Sequence, residues 1–171
     1  LTLPTPLVLA PNTMHTTEHG DLVTVSLNSQ APRECRIVKY FADGVHRWTQ
    51  TLPDCTSGEF SSARVWAAPD DGLWLALPTQ VVRLGADGRV LKRIDNGALA
   101  GRLEAVDSRT DRLYASGTQA DGTSAVAAYD RNGASLWRTR VDAPVRITVA
   151  ADGSLRAVGT NFVIEPYVRF A

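Results

Sequence analysis

Three observations predict an all-β chain built from β-propeller blades of four antiparallel strands. Turn glycines recur at Gly44, Gly88 and Gly133, 44 and 45 positions apart, a period that marks stacked supersecondary units. Each follows an Asp or Asn and is flanked by alternating apolar residues, the pattern of a hairpin closed by a tight turn. A second pair of short apolar runs precedes each hairpin, giving four short strands per period, which is the blade of a propeller.

The first repeat, residues 7–52, takes Leu7-Val8-Leu9 and the run from Leu22 to Leu27 as inner strands. Its outer hairpin turns at Tyr40-Phe41-Ala42-Asp43-Gly44, with Trp48 four residues beyond the glycine. The second, 64–94, pairs Arg64-Val65-Trp66-Ala67-Ala68 with Leu73-Trp74-Leu75-Ala76-Leu77 around Asp71-Gly72. Its outer hairpin turns at Leu84-Gly85-Ala86-Asp87-Gly88, with Lys92 in the tryptophan place. The third, 102–141, has inner strands around Thr110-Asp111, where glycine is absent, and an outer hairpin at Tyr129-Asp130-Arg131-Asn132-Gly133 followed by Trp137. The fourth, 145–171, turns at Asp152-Gly153, continues through Phe162-Val163-Ile164 and lacks an outer strand. Leu1-Thr2-Leu3-Pro4-Thr5-Pro6 is a candidate for that strand, since proline suits an outermost edge that needs no further donors. About four repeats fit three closures: a portion of a larger propeller, two copies joining, or a small closed ring.

Composition agrees with a soluble, sheet-rich body, because 44% apolar and 21% charged residues lie far from a disordered or membrane chain. No run approaches the ~20 apolar residues that span a bilayer as a helix. No basic segment followed by an apolar one stands at the start, and the first residue is Leu1, as in a chain whose leader was removed or in an excerpt. Eighteen basic and eighteen acidic residues are interspersed, so steering toward nucleic acid or an anionic membrane is not expected.

Cys35 and Cys55 bracket the first hairpin, and antiparallel pairing brings such positions together. A bond between them closes a loop of about twenty residues and stabilises by roughly 3 kcal/mol in the chain-entropy treatment, which suits a periplasmic or extracellular compartment. Two buried thiols in a cytosolic protein is the alternative, and two cysteines without a nearby histidine do not complete a zinc site. His15-Thr16-Thr17-Glu18-His19 matches the H-x-x-E-H pattern, which needs both histidines one helical turn apart. Pro11 upstream, Gly20 immediately after and two β-branched threonines between oppose a helix, so an ordinary polar loop is expected and His15, Glu18 and His19 are only weak metal candidates. Trp48 and Trp137 share one offset from their turn glycines, which predicts packing between neighbouring blades. Trp66 and Trp74 fall on paired inner strands and are expected in the core.

The stretch Ala128-Tyr129-Asp130-Arg131-Asn132-Gly133-Ala134-Ser135-Leu136-Trp137-Arg138 resembles the repeat of the quinoprotein-like (PQQ-like) β-propellers, and the hairpins at Gly44 and Gly88 keep its glycine and apolar frame. The resemblance implies one of two kinds of protein. Dehydrogenases of that family hold a quinone with calcium or a lanthanide, a catalytic aspartate and often a disulfide between adjacent cysteines. Here Cys35 and Cys55 are not adjacent and no acidic cluster stands out. The other kind are scaffolds, such as the outer-membrane assembly lipoproteins of bacteria. The expected function is a non-enzymatic binding or assembly module of a cell-envelope or secreted protein, without a cofactor, docking a protein or glycan through loops on one face. Rigid blades free the loops to vary, and residues 12–21, 28–34 and 53–62 are the candidate loops. The alternative is a portion of a propeller enzyme, either a quinone-dependent oxidoreductase or a hydrolase or lyase.

Overall fold

The structure, a computed structural model, describes residues 14–17, 20–28, 34–53, 63–77 and 79–159. The described residues form β1 (Met14–Thr16), β2 (Leu22–Asn28), β3 (Glu34–Tyr40), β4 (His46–Pro53), β5 (Arg64–Ala67), β6 (Leu73–Ala76), β7 (Gln80–Leu84) and β8 (Val90–Asp95). A 3-10 turn at Asn96–Ala98 follows. Then come β9 (Arg102–Asp107), β10 (Arg112–Thr118), β11 (Ser124–Tyr129), β12 (Ser135–Val141), β13 (Val145–Val149) and β14 (Leu155–Gly159). The sheets are β1-β2-β3-β4, β5-β6-β7-β8, β9-β10-β11-β12 and the pair β13-β14, each neighbour adjacent in sequence. These antiparallel meanders are the expected blades.

Among the described residues, seven hairpin ends share one hydrogen-bonding pattern, at residues 17–21, 41–45, 68–72, 85–89, 119–123, 130–134 and 150–154. In each, the first N–H donates to the fifth carbonyl and the fourth N–H to the first carbonyl. These bonds are those of a three-residue hairpin loop closed by a left-handed residue. The left-handed residue is Gly20, Gly44, Gly88, Gly122, Gly133 or Gly153 in six of them, and Asp71 (φ 61°) in the seventh.

The Asp or Asn before Gly44, Gly88, Gly122, Gly133 and Gly153 does not share the positive φ of its glycine. Its role is instead a local side-chain bond: Asp43, Asp87, Asp121 and Asp152 each accept from the N–H two residues on, at 2.9 to 3.0 Å. Asp130 does the same work from the first position, accepting from the N–H groups of Asn132 and Ala134 at 2.8 Å. Such bonds are why Asp and Asn favour turns.

The first blade departs from expectation at its inner edge. The strand paired with β2 is Met14–Thr16, with His15 opposite Val23, and Leu7-Val8-Leu9 lies outside the described residues. Because Thr17 to Asp21 closes as the same short turn, the strand before it must end at Thr16. Within the candidate loop 12–21, the described residues are the strand Met14–Thr16 and the bonded positions Thr17, Gly20 and Asp21.

The chain divides into two compact units, Leu1–Pro78 with Val82–Leu91, and Thr79–Val81 with Lys92–Ala171. In the first, Val23, Val25, Ile37 and Trp48 of the first sheet pack on Leu73, Leu75, Val82 and Leu84 of the second. In the other, Ala105, Tyr114, Val126 and Ala128 of the third sheet pack on Val145 and Ile147 of the β13-β14 hairpin. Alternation places these residues on one face of each strand, and burial of each large aliphatic chain contributes about 1.5 to 3 kcal/mol.

Candidate functional site

Trp48 shows how neighbouring blades dock. It is 8% exposed, and a Cβ at Gly88 would stand 2.6 Å from its indole. Glycine therefore serves twice at position 88, for its φ of 81° and for the space the ring needs. Among the described residues the indole Nε1 has no hydrogen-bond partner. In the second blade Lys92 occupies the tryptophan place but is exposed. Ile94, two residues on along the same face, makes the equivalent contact, 3.1 Å from where a Cβ on Gly133 would lie. Trp137 packs partly buried on the core of its unit, its ring 6.3 Å from that of Tyr114. Trp74 is buried and pairs with the half-buried Trp66.

The concentration of chemistry in the first unit lies at the tight-turn end of its two sheets. Lys39, near the end of β3, is 0% exposed. Its Nζ lies 3.0 Å from Asp21 Oδ2 and donates to Asp71 Oδ1 at 2.6 Å and to the Asp71 carbonyl at 3.0 Å. Those three acceptors match its three donors. Arg47 is the extra residue of a bulge, since Lys39 pairs with Trp48 and Tyr40 with His46. The bulge turns its guanidinium toward Asp71, with which it pairs, and to 3.4 Å from Asp21 Oδ2. It also lies 5.0 Å over the Phe41 ring. Beside them Arg83 pairs with Asp70, donates to the Leu84 carbonyl and lies 5.5 Å over Trp74.

Asp71 is left-handed here because Gly72 is needed elsewhere. A Cβ at position 72 would collide with Arg83 Nη1 and the Leu84 carbonyl, so glycine occupies the fifth place of the turn and the fourth falls to Asp71. Asx-type residues tolerate that conformation best after glycine. Burial raises the Asp71 carboxyl, but hydrogen bonds from Lys39 and Arg47 outweigh it and hold the pKa below the ordinary 3.8. Asp70 is likewise raised by burial and brought lower by its bonds to Arg83 and the Gly72 N–H.

Three cations, Lys39, Arg47 and Arg83, thus meet three carboxylates, Asp21, Asp70 and Asp71. The cluster neutralises itself, and what it does is fasten the first sheet to the second. Neither Asp70-Asp71 nor Lys39 stood out in sequence. The signal available was an Asp doublet at a place where the other turns carry glycine.

The remaining sequence candidates are dispersed. His15 is a strand residue rather than the loop residue expected, and Glu18 and His19 lie outside the described residues. Among the described residues no group of three His, Cys, Asp or Glu is arranged to hold a metal. Cys35 is fully buried on β3 opposite Leu52, and Cys55 lies outside the described residues. The three candidate loops do not share one end. β2 carries the chain from the 17–21 turn to the opposite end of the sheet, where segments 29–33 and 54–62 begin. No helix of the described residues is long and apolar enough to cross a membrane.

The architecture defines a class, all-β with β-propeller blades. No protein-family profile matches the chain, and no curated protein matches it. Among solved structures it is similar to a protein of unknown function from Bacteroides caccae, with TM-score 0.47 and 13% identity over 92% of this chain and 56% of that one. It is also similar to BamB from Moraxella catarrhalis, with TM-score 0.49 and 20% identity over 83% of this chain and 44% of that one. A tail fiber of Staphylococcus aureus phage P68 aligns at TM-score 0.32 and 11% identity, covering 85% of this chain and 40% of that one. The chain thus spans about half the length of the structures it matches.

Proposed function

We propose that the chain is a non-catalytic binding or assembly module of the quinoprotein-like propeller kind, working in the cell envelope or outside the cell. Residues 1–171 form one propeller portion in this reading, completed by further blades or by a second copy. A protein or glycan docks at the end of the first sheet where segments 29–33 and 54–62 join. The observation that carries this reading is the contrast between that sheet's two ends. One end is closed by three-residue turns and its charges are mutually neutralised. The other bears the longer connections, where recognition collects on a rigid frame.

A disulfide between Cys35 and Cys55 belongs to the same proposal. It is supported by the complete burial of Cys35 opposite Leu52 and by the closeness of position 55 to the end of β4. Thiol titration of the unfolded, unreduced protein should find no free thiol, and two titrating thiols would remove the oxidising compartment from the proposal.

The docking end is tested by placing a photo-crosslinking residue at Gly58 and, separately, at Ala86 in the tight-turn end. A discrete adduct from position 58 alone is expected. Equal labelling from Ala86 sinks the assignment of the end. A rise in melting temperature with quinone and calcium would favour the oxidoreductase alternative, since a ligand of the native state must stabilise it.

A further inference from the structure

The outer strands of the three complete blades differ in how their edges are protected. β4 ends in Pro53, which has no N–H to offer. β8 runs directly into the 3-10 turn, and Arg93 is drawn back over its own sheet by a 2.8 Å bond to Gln80. β12 has neither device. It is a proline-free strand, Ser135–Val141, whose residues are exposed apart from half-buried Trp137 and Val141, with Leu136 49% exposed. Among the described residues it is paired on one side only.

Among the described residues no ion pair holds its two arginines. Arg138 and Arg140 stand opposite Ala127 and Ala125 of β11, so no carboxylate faces them across the strand. Arg138 donates to the neutral Gln119 side chain. The carboxylate that feels Arg140, Asp121, is already occupied by the N–H and hydroxyl of Thr123. On the other face Trp137 and Val141 flank Thr139, giving an apolar strip.

From this juxtaposition of an open edge with two unmatched arginines, we infer that β12 is a docking edge for an extended acidic segment of a partner protein, which adds to the third sheet as a fifth strand. Main-chain bonds to the free edge supply the attachment, as in strand addition generally. Alternating acidic side chains then fall beside Arg138 and Arg140, and opposite charges on neighbouring strands attract. A second copy of this chain is the wrong occupant, since antiparallel β12 edges would set arginine beside arginine. The surface is distinct from the loop end proposed above and does not depend on it.

The test uses the full chain and a labelled peptide of alternating threonine and glutamate, matched in length to β12. Fluorescence anisotropy should show saturable binding to this peptide and none to its lysine counterpart. Arg138→Glu with Arg140→Glu should weaken the acidic peptide about tenfold or more and admit the lysine peptide. Both arginines are exposed, so an unchanged melting temperature serves as the folding control, and Arg138→Gln with Arg140→Gln is the fallback should the reversed variant not fold. A peptide N-methylated at alternate residues keeps its charge but cannot pair as a strand, and should not bind. Equal binding of the N-methylated peptide, undiminished binding by the folded arginine variants, or no binding of the acidic peptide would each overturn the inference.

Discussion

The two units solve one packing problem with different chemistry. Lys39 and Ala128 hold equivalent places, each opposite the tryptophan of its own outer hairpin, Trp48 and Trp137. Both are buried, but Lys39 brings a charge to the seam, and the next blade answers with Asp71 in the fourth place of its inner turn. Where Ala128 stands, that fourth place is Gly153 and the seam is apolar. Its polar ties end on backbone carbonyls instead of carboxylates: Ser116 Oγ donates to the Val145 carbonyl at 2.7 Å, and Arg109 to the Ala151 carbonyl at 2.7 Å. The strained Asp71 and the buried Lys39 are therefore a matched pair, and neither is explained by its own blade alone.

The largest expected effect comes from breaking that match. Lys39→Met removes the cation from two carboxylates and should destabilise by about 3 kcal/mol or more, as loss of one buried partner does, read from the denaturant midpoint. Lys39→Met with Asp71→Gly imitates the second seam and should recover most of that loss. A double variant no better than the single would show that the seams are not interchangeable.

Next in size are the docking glycines. Gly88→Val forces a branched side chain into positive φ and into Trp48, and should cost above about 2 kcal/mol. Gly122→Ala, with φ of 79° but nothing within 4 Å of its Cβ, should cost about 1 kcal/mol. Equal losses would mean that backbone conformation alone governs these turns.

Acidification probes both units at once. Asp70 and Asp71 in the first and Asp107 in the other have folded pKa values below 3.8; for Asp107, burial raises the carboxyl and bonds from Thr110 and Arg109 overcome it. A lowered folded pKa gives stability that is complete above the unfolded value and lost as pH falls through the folded one. Melting temperature should thus hold level down to about pH 5 and fall below about pH 4. Asp71→Asn should flatten that fall, and an unaltered profile would deny Asp71 its part in it. The smallest effect is reserved for an exposed turn bond. Asp43→Ala loses only the 2.9 Å bond to the Val45 N–H and should cost about 0.5 to 1 kcal/mol by thermal melting.

The blades themselves were legible because their signals are local. The strands from Val81 to Leu84 and from Val90 to Ile94, the strand pair on either side of Asp152-Gly153, and the pairing of Trp66 with Trp74 all appear in the sheets. Where structure and sequence differ, the cause is local too. Apolar content points to Leu7-Val8-Leu9 as an inner strand, whereas the strand paired with β2 is Met14–Thr16, ending where the Thr17 and Asp21 bonds close the turn. Asp71-Gly72 reads as an Asp-Gly turn, but the missing side chain at Gly72 makes room for Arg83 and Leu84, and Asp71 is the left-handed residue.

Period, alternation and turn residues determine that this chain makes short antiparallel sheets of about four strands, since each depends on neighbours a few residues apart. The charge cluster, the exchange of Lys92 for Ile94 at the blade contact and the openness of β12 depend on residues brought together from separate hairpins. Lys39 and Asp71 are 32 positions apart, and only the stacking of one sheet on the next makes a buried lysine and a left-handed aspartate stabilise each other.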